Sequence, residues 1–158
     1  MRKRLLSATP KNDCPQARRW LDIDEAAFVE VTSEAAGYPI EGALLDDSER
    51  GWRADLPGPQ TIRLVFDSPQ TIRIIWLVFK EEEISRTQEF LLRWLPCGGS
   101  WRDVLRQQWN FSPPFTVTEH EEYRVELSSA SALELRINPS IGSHEERASL
   151  EQLRLSVS

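Results

Sequence analysis

The chain is poor in the residues that build catalytic, redox and metal centres. Its 158 residues include only two cysteines and two histidines. Cys14 and Cys97 form no Cys-x-x-Cys pair, and two thiols cannot build the multi-disulfide framework of a small secreted fold, so we expect both to be reduced. His120 and His144 each precede two glutamates and lack the second histidine that completes a zincin helix. We expect both histidines to be solvated loop residues.

Long hydrophobic runs are missing as well. No apolar segment approaches the length of a membrane span, so we expect no membrane partner. After the basic residues 2–4, only Leu5 and Leu6 precede a polar stretch, which is too short for the hydrophobic core of a signal peptide. The sequence therefore predicts a cytoplasmic protein. A net charge of −6 argues against a nucleic-acid partner, because a phosphate backbone attracts clustered cations.

Sequence signatures of enzymes are also absent. There is no Gly-x-Ser-x-Gly nucleophile elbow and no glycine-rich loop that would cradle a phosphate. The carboxylate pairs Asp46-Asp47 and Glu121-Glu122 are neighbours in sequence, whereas an acid and a base that work together need converging side chains. The sequence therefore predicts a protein without catalytic activity.

Period-two alternation of apolar and polar residues is the dominant positive signal, and it is typical of strands buried on one face. The residues predicted to point inward are Ile62, Leu64 and Phe66; Tyr123, Val125 and Leu127; Leu133, Leu135 and Ile137; and Leu153, Leu155 and Val157. Connectors rich in Pro, Gly and Ser separate these stretches at regular intervals. This spacing predicts an all-β fold, an antiparallel sandwich or barrel.

Several segments refine this picture. Residues 1–20 are expected to be a flexible or partly ordered lead-in, followed by a single domain at 21–158. The run 71–79 is apolar on both faces, which predicts either a central strand covered on both sides or a strand whose outer face meets a partner. Residues 100–109 fit one or two helical turns or a bent strand, and the all-β context favours the strand. Sixteen arginines against three lysines alternate with apolar residues, so we expect them to pair with glutamates on a solvated sheet face.

The order of these features resembles the discoidin, or coagulation-factor type C, family of galactose-binding-domain-like jelly rolls. The resemblance rests on `VTSEAAGYPIEGALLDDSERGW`, on the two apolar strands `TIRLVF` and `TIRIIWLVF`, on `EFLLRWLPCGGSW`, and on the closing `ALELRI` and `ASLEQLRL`. It implies an antiparallel jelly-roll β-sandwich that binds carbohydrate through loops at one end, without catalysis. Members of this family carry a structural calcium loop here, and Asp46 and Asp47 are its candidate ligands. Because Ser48 departs from the family's Asp-Gly-Asp pattern, we expect no cofactor, with calcium at Asp46 and Asp47 as the alternative.

The resemblance assigns structural positions to Trp52 and Trp101 and leaves one aromatic segment, `RQQWNFSPPF`, without an evident structural role. Sugar binding needs an aromatic ring for the apolar face and planar polar groups for the hydroxyls. The predicted ligand-binding residues are Arg106, Gln108, Trp109, Asn110, Phe111 and Phe115. Alternatively, Trp109 and Phe111 point inward at the end of a strand. The competing functional hypothesis is a cytoplasmic protein–protein interaction or oligomerisation domain.

Overall fold

The structure, a computed structural model, describes residues 19–45 and 50–158. Two short helices and eight strands make up this part of the chain. In chain order they are α1 (Ile23–Ala26), β1 (Ala27–Val31), α2 (Glu41–Leu44), β2 (Trp52–Arg53), β3 (Gln60–Lys80), β4 (Arg86–Pro96), β5 (Arg102–Phe111), β6 (Thr118–Asn138), β7 (Ser149–Leu150) and β8 (Gln152–Ser156). No helix in the described segments is long and apolar enough to cross a membrane.

All strand pairs are antiparallel. The large sheet has the order β1-β3-β6-β4-β5, with β8 also paired to β3, and the small sheet pairs β2 with β7. β3 and β6 pair along most of their lengths, from Gln60 opposite Ile137 to Lys80 opposite Thr118, and their register shifts between Val65 and Gln70. The sequence predicted two separate strands in each of these stretches. Each is one long strand. In β3, the connector around Pro69 shifts the register without ending the strand.

The large sheet folds back on itself at this bend to form two layers. Phe79 belongs to the second half of β3, and Phe90 belongs to β4, which pairs with the far half of β6. Their rings nevertheless stack with centroids 5.3 Å apart. The two halves of β3 and β6 therefore face each other across a core, and the predicted all-β jelly-roll sandwich is confirmed.

The predicted inward positions agree with the observed core except at Val157, which follows the end of β8 and is only partly buried. Ile62, Leu64 and Phe66 are buried, as are Leu127, Leu133, Leu135, Ile137, Leu153 and Leu155. Tyr123 and Val125 are partly buried and pack against this core. Within the run 71–79, Ile75 points into the core and Ile74 is also buried, so the strand is covered on both sides at that point.

Local predictions were mostly correct. Residues 102–111 form the strand β5, as the all-β context favoured. Residues 23–26 form α1, with the Asp22 carboxylate accepting a hydrogen bond from the backbone N–H of Glu25. The expectation for His120 was wrong. His120 lies within β6 rather than in a loop, on the exposed outer face, with its ring centroid 4.1 Å from that of Trp76.

The expected pairing of arginines with glutamates is present on the outer faces of the sandwich. Glu134 is 1% exposed and accepts hydrogen bonds from Arg63 and Arg93, and Arg136 forms a salt bridge with it at 2.7 Å. The Trp101 ring lies beside two of these guanidinium groups, at 5.7 Å from Arg63 and 5.1 Å from Arg93. Trp101 thus covers this cluster of ion pairs on the outer face of the sheet. This is a structural role, consistent with the resemblance.

The two ends of the sandwich differ. Arg19 and Val157 are joined by a backbone hydrogen bond near the paired residues Ile74 and Ser156, so both termini of the described chain lie at one end. The opposite end carries the connections 81–85, 112–117 and 139–148, which we call the loop end. Backbone hydrogen bonds tie these connections together: Glu81 donates to Val117, and Ile141 donates to Thr87 at the start of β4.

Candidate functional site

A cleft of about 870 Å³ opens at the loop end. Its walls come from four parts of the chain: residues 35, 36 and 38; residues 50–54; residues 80–84; and residues 145–149 with Glu151. This volume is within the range of pockets that hold small ligands.

Hydrogen bonds around Ser33 fix the segments that form one wall of the cleft. The buried Trp52 indole donates its N–H to the backbone oxygen of Ser33 at 2.9 Å. The Ser33 hydroxyl donates to Gln60 and accepts from the backbone N–H groups of Asp55 and Leu56. Trp52 is therefore structural, as the resemblance implied.

Glycine at position 51 brings this wall against the β7 region. A Cβ atom at Gly51 would lie 2.4 Å from the backbone oxygen of Leu150, which is closer than side-chain carbons come to a carbonyl. The β2–β7 pair at the floor of the cleft therefore requires glycine at this position.

Tyr38 supplies the partly exposed aromatic ring of the cleft. The guanidinium carbon of Arg53 lies 4.6 Å from the ring centroid, and that of Arg50 lies 5.3 Å from it. Further cationic groups come from Lys80 and Arg147. Carboxylates come from Glu81, Glu82, Glu83, Glu145, Glu146 and Glu151. The cleft thus combines one ring with many planar hydrogen-bonding groups of both charges.

The predicted ligand-binding residues separate into three groups. Arg106, Gln108 and Asn110 alternate onto the exposed outer face of β5. Arg106 and Gln108 both donate to the Glu89 carboxylate, at 2.6 and 3.1 Å. The Gln108 hydrogen bond outweighs desolvation, and with Arg106 it holds the pKa of Glu89 below its ordinary value. These side chains form a polar strip along β4 and β5 and lie outside the cleft.

The two aromatic side chains whose direction the sequence left open both point inward. Phe111 is 1% exposed and belongs to the core, with the Arg86 guanidinium 4.9 Å from its ring centroid. Trp109 is partly buried and packs against the core. Phe111 is thus a core residue, whereas Trp109 packs against the core and stays partly exposed, so its contact with a ligand stays a prediction.

Phe115 differs from the other members of the predicted set. It lies in the 112–117 connection after the cis Pro113–Pro114 bond and is 90% exposed. Backbone hydrogen bonds from Phe115 and Thr116 to the Ser112 oxygen fix the turn that presents it. Phe115 is thus an exposed ring at the loop end, and its contact with a ligand stays a prediction, as does that of Arg106, Gln108 and Asn110.

The predicted calcium ligands Asp46 and Asp47 lie outside the described residues, as does Cys14. Within residues 19–45 and 50–158, no three or more His, Cys, Asp or Glu side chains are grouped to hold a metal ion. Structural calcium stays a prediction that rests on the resemblance.

A buried polar network beside the cleft was missed from the sequence. Arg86, Gln88 and Glu119 are buried, although each is charged or polar. The signal was present in the alternation itself. Arg86 and Gln88 share the inward parity of Phe90, and Glu119 shares that of Tyr123. Extending the period-two pattern to the polar ends of these strands would have identified all three.

No family model matches the chain, and no curated protein matches it. Solved structures do. The family 32 carbohydrate-binding module from Clostridium perfringens NanJ, in complex with galactose, has a TM-score of 0.64 at 13% identity, covering 88% of this chain and 98% of that one. The lectin-binding domain of lectinolysin with Lewis b has a TM-score of 0.58 at 11% identity, covering 89% and 99%.

A third similar structure is the family 32 module of AlyQ with 4,5-unsaturated mannuronic acid, with a TM-score of 0.56 at 16% identity, covering 82% of this chain and 94% of that one. At these identities the likeness concerns the fold. The chain has the discoidin-like, galactose-binding-domain-like β-sandwich fold of these modules, which confirms the fold that the sequence resemblance implied.

Proposed function

We propose that the protein is a non-catalytic carbohydrate-binding module whose ligand contacts the cleft at the loop end. The observation that carries this proposal is the Tyr38 ring in a cleft lined by guanidinium and carboxylate groups. An aromatic ring packs against the apolar face of a sugar, and planar charged groups match its hydroxyls. The three similar structures were each solved with a saccharide ligand, which supports this ligand class.

Phe115 extends the proposed site beyond the cleft. Its ring is exposed at the same end of the sandwich, where it can pack against a second sugar unit of a longer ligand. The cleft and Phe115 together suit an oligosaccharide better than a monosaccharide, because an extended ligand needs a contact outside the cleft to cover its other end.

A second candidate function, protein interaction or homo-oligomerisation, is favoured by a different surface. Phe28 is 65% exposed and pairs across the strands with Val65, which is 36% exposed. The run 71–79 is a weaker candidate for such a surface than the sequence predicted, because Ile74 is buried and Trp76 packs against Trp20 and His120. The cytoplasmic location stays a prediction; it agrees better with this second function.

A glycan-panel screen followed by calorimetry distinguishes the two functions. The carbohydrate proposal expects at least one saccharide to bind, with affinity strongly reduced in Tyr38→Ala and unchanged in Phe28→Ala. Binding to no saccharide, together with a molar mass that rises with concentration and falls to that of a monomer in Phe28→Ala, would establish the second function instead.

A further inference from the structure

A chain of buried polar side chains crosses the interior between the two layers and ends at the cleft. Glu119 on β6 is fully buried, and its Oε1 accepts a hydrogen bond from Gln88 Nε2 at 3.3 Å. Gln88 Oε1 in turn accepts from Arg86 at 3.2 Å. Arg86 then donates through its Nε to Glu81 Oε1 at 2.7 Å. Four side chains thus connect the core to the first residue of the 81–85 connection.

Arg86 is the point at which this chain holds the loop end together. Besides Gln88 and Glu81, it donates to the backbone oxygen of Pro139 at 2.5 Å, which is where the 139–148 connection begins. The other oxygen of Glu81 accepts from the backbone N–H groups of Glu83 and Ile84, at 3.0 and 3.4 Å. Residues 80–84 and 145–149 form two walls of the cleft, so Arg86 positions the segments that carry both.

The two carboxyl groups of this side-chain network, those of Glu81 and Glu119, have pKa values shifted in opposite directions. Burial acts to raise the pKa of Glu81, but the hydrogen bond and charge of Arg86, together with the backbone N–H groups of Glu83 and Ile84, outweigh it and hold that pKa below its ordinary value. Burial, followed by the charge of Glu121, raises the pKa of Glu119 to about 7. The groups facing Glu119 are Arg86 and Gln88 from β4 and Glu121 and Tyr123 from its own strand. The Tyr123 hydroxyl donates to Glu121 at 2.6 Å. Among the described residues, Arg86 is the cation whose charge acts on Glu119.

The second carboxyl oxygen of Glu119, Oε2, is buried and has no hydrogen-bond partner among the described residues. A neutral carboxyl tolerates this arrangement, whereas a carboxylate with one hydrogen bond strongly attracts the nearest cation. The cation that acts on Glu119 is Arg86, which is engaged with Glu81 and Pro139.

We propose that the chain Glu119–Gln88–Arg86–Glu81 is a proton-controlled lock on the cleft. With Glu119 neutral, Arg86 holds the 81–84 segment and Pro139 in the arrangement described above. When Glu119 loses its proton, the new charge draws Arg86 inward, and the two cleft walls are released. This regulation rests on the proposed carbohydrate site, and it implies that ligand affinity falls by about five- to tenfold between pH 6 and pH 8, the lower range of coupling between linked sites.

The lock is tested first without any ligand, by nuclear magnetic resonance of the labelled protein from pH 5.5 to 8.5. The side-chain carboxyl carbon of Glu119 and the backbone amides of Glu83, Ile84 and Ile141 should share one transition. Imidazoles in general change charge in this range, so the titration is repeated in a His120→Gln/His144→Gln variant, where the transition should persist. Glu119→Gln, which keeps the size of the side chain, should abolish it. If the Glu119 carboxyl titrates and the signals of the loop amides do not shift with it, the lock is refuted. This comparison requires only the unmutated protein.

Binding of a saccharide from the glycan screen, measured at pH 6 and pH 8, completes the test. If the lock operates, affinity should fall between pH 6 and pH 8 in the unmutated protein and in the histidine variant. In Glu119→Gln the affinity should be the same at both pH values. Shared NMR transitions without any saccharide binding would refute the carbohydrate proposal and leave the lock intact. Saccharide binding that is equally strong at both pH values, with static loop amides, would refute the lock and leave the carbohydrate proposal intact.

Discussion

Trp109 on β5 lies directly opposite Gln88 on β4, and both side chains point into the sandwich. The indole Nε1–H of Trp109 is buried and has no hydrogen-bond partner among the described residues. The ring is therefore held by packing beside the polar chain of Gln88, Arg86 and Glu119. A Trp109→Ala variant consequently removes core packing as well as a predicted ligand contact.

The unpaired indole leads to a prediction about stability. Replacing Trp109 by Phe removes a buried donor that costs about 1–3 kcal/mol when left unsatisfied, which offsets the apolar area lost. Trp76→Phe is the matched control, because the Trp76 indole donates to Gln152 at 2.7 Å. We expect urea unfolding to show a smaller loss of stability for Trp109→Phe than for Trp76→Phe. The reverse order would mean that the Trp109 N–H has a partner.

The fold was predictable from the sequence because side-chain parity along a strand is a strong constraint. Ile62, Leu64 and Phe66 share a face in any strand, and burying that face fixes which residues form the core. The continuity of β3 through Pro69 could not be read in this way. A Pro-bearing connector that bends a strand and one that ends it have the same composition, and only packing of the two layers distinguishes them.

The site was less predictable, because loops from distant parts of the chain meet there. Tyr38, Arg53 and Arg147 are far apart in sequence and carry no motif, yet they line one cleft. Phe115 was predicted as a ligand contact because the resemblance leaves its segment without a structural role; the structure shows its ring exposed, and the contact itself stays a prediction. Phe111, four residues earlier, belongs to β5, and the direction of its ring follows from the strand boundary, which a sequence defines poorly.

Arg86 should be among the residues most sensitive to substitution. Arg86→Leu leaves the partly buried Glu81 carboxylate and the Pro139 oxygen without their donor, the buried Arg86 guanidinium, and breaking a buried ion pair costs roughly 3–5 kcal/mol. Arg73→Leu is the control, because Arg73 pairs with Glu126 on the exposed face, where an ion pair contributes at most about 1 kcal/mol. Urea unfolding followed by tryptophan fluorescence measures both. Equal losses for the two variants would contradict the role of Arg86.

Glu119 should make stability depend on pH in a defined direction. Its pKa in the folded protein is about 7, above the ordinary value of 4.5, so the folded state retains a proton that the unfolded chain releases. The resulting stabilisation is complete below pH 4.5 and is lost as the pH rises through 7. Relative to Glu119→Gln, the unmutated protein should lose on the order of 2–3 kcal/mol between pH 4.5 and pH 8. A constant difference across this range would show that Glu119 does not titrate there.

Glu134 should give the opposite dependence. Burial acts to raise its pKa, but the hydrogen bond from Arg63 and the charges of Arg136, Arg63 and Arg93 hold it below the ordinary value. Its stabilisation is present above pH 4.5 and is lost as the pH falls through the lowered pKa. Glu134→Gln should destabilise the protein by roughly 2–4 kcal/mol at pH 7, with the difference shrinking below pH 4. Glu126→Gln, on an exposed pair, should change stability by less than about 1 kcal/mol throughout.

Phe115 provides the cleanest separation of binding from stability. Its ring is 90% exposed, so Phe115→Ala removes almost no buried contact, and the free energy of unfolding should change by less than about 0.5 kcal/mol. If the ring packs against a sugar at the loop end, affinity for an oligosaccharide should fall by about fivefold or more, since one aromatic contact contributes roughly 1 kcal/mol. A monosaccharide that fills only the cleft should lose little. Phe28→Ala, which removes an exposed ring from β1, should leave both affinities unchanged. Equal loss for the short and the long ligand would place Phe115 within a single compact site, and no loss for either would remove it from the binding surface.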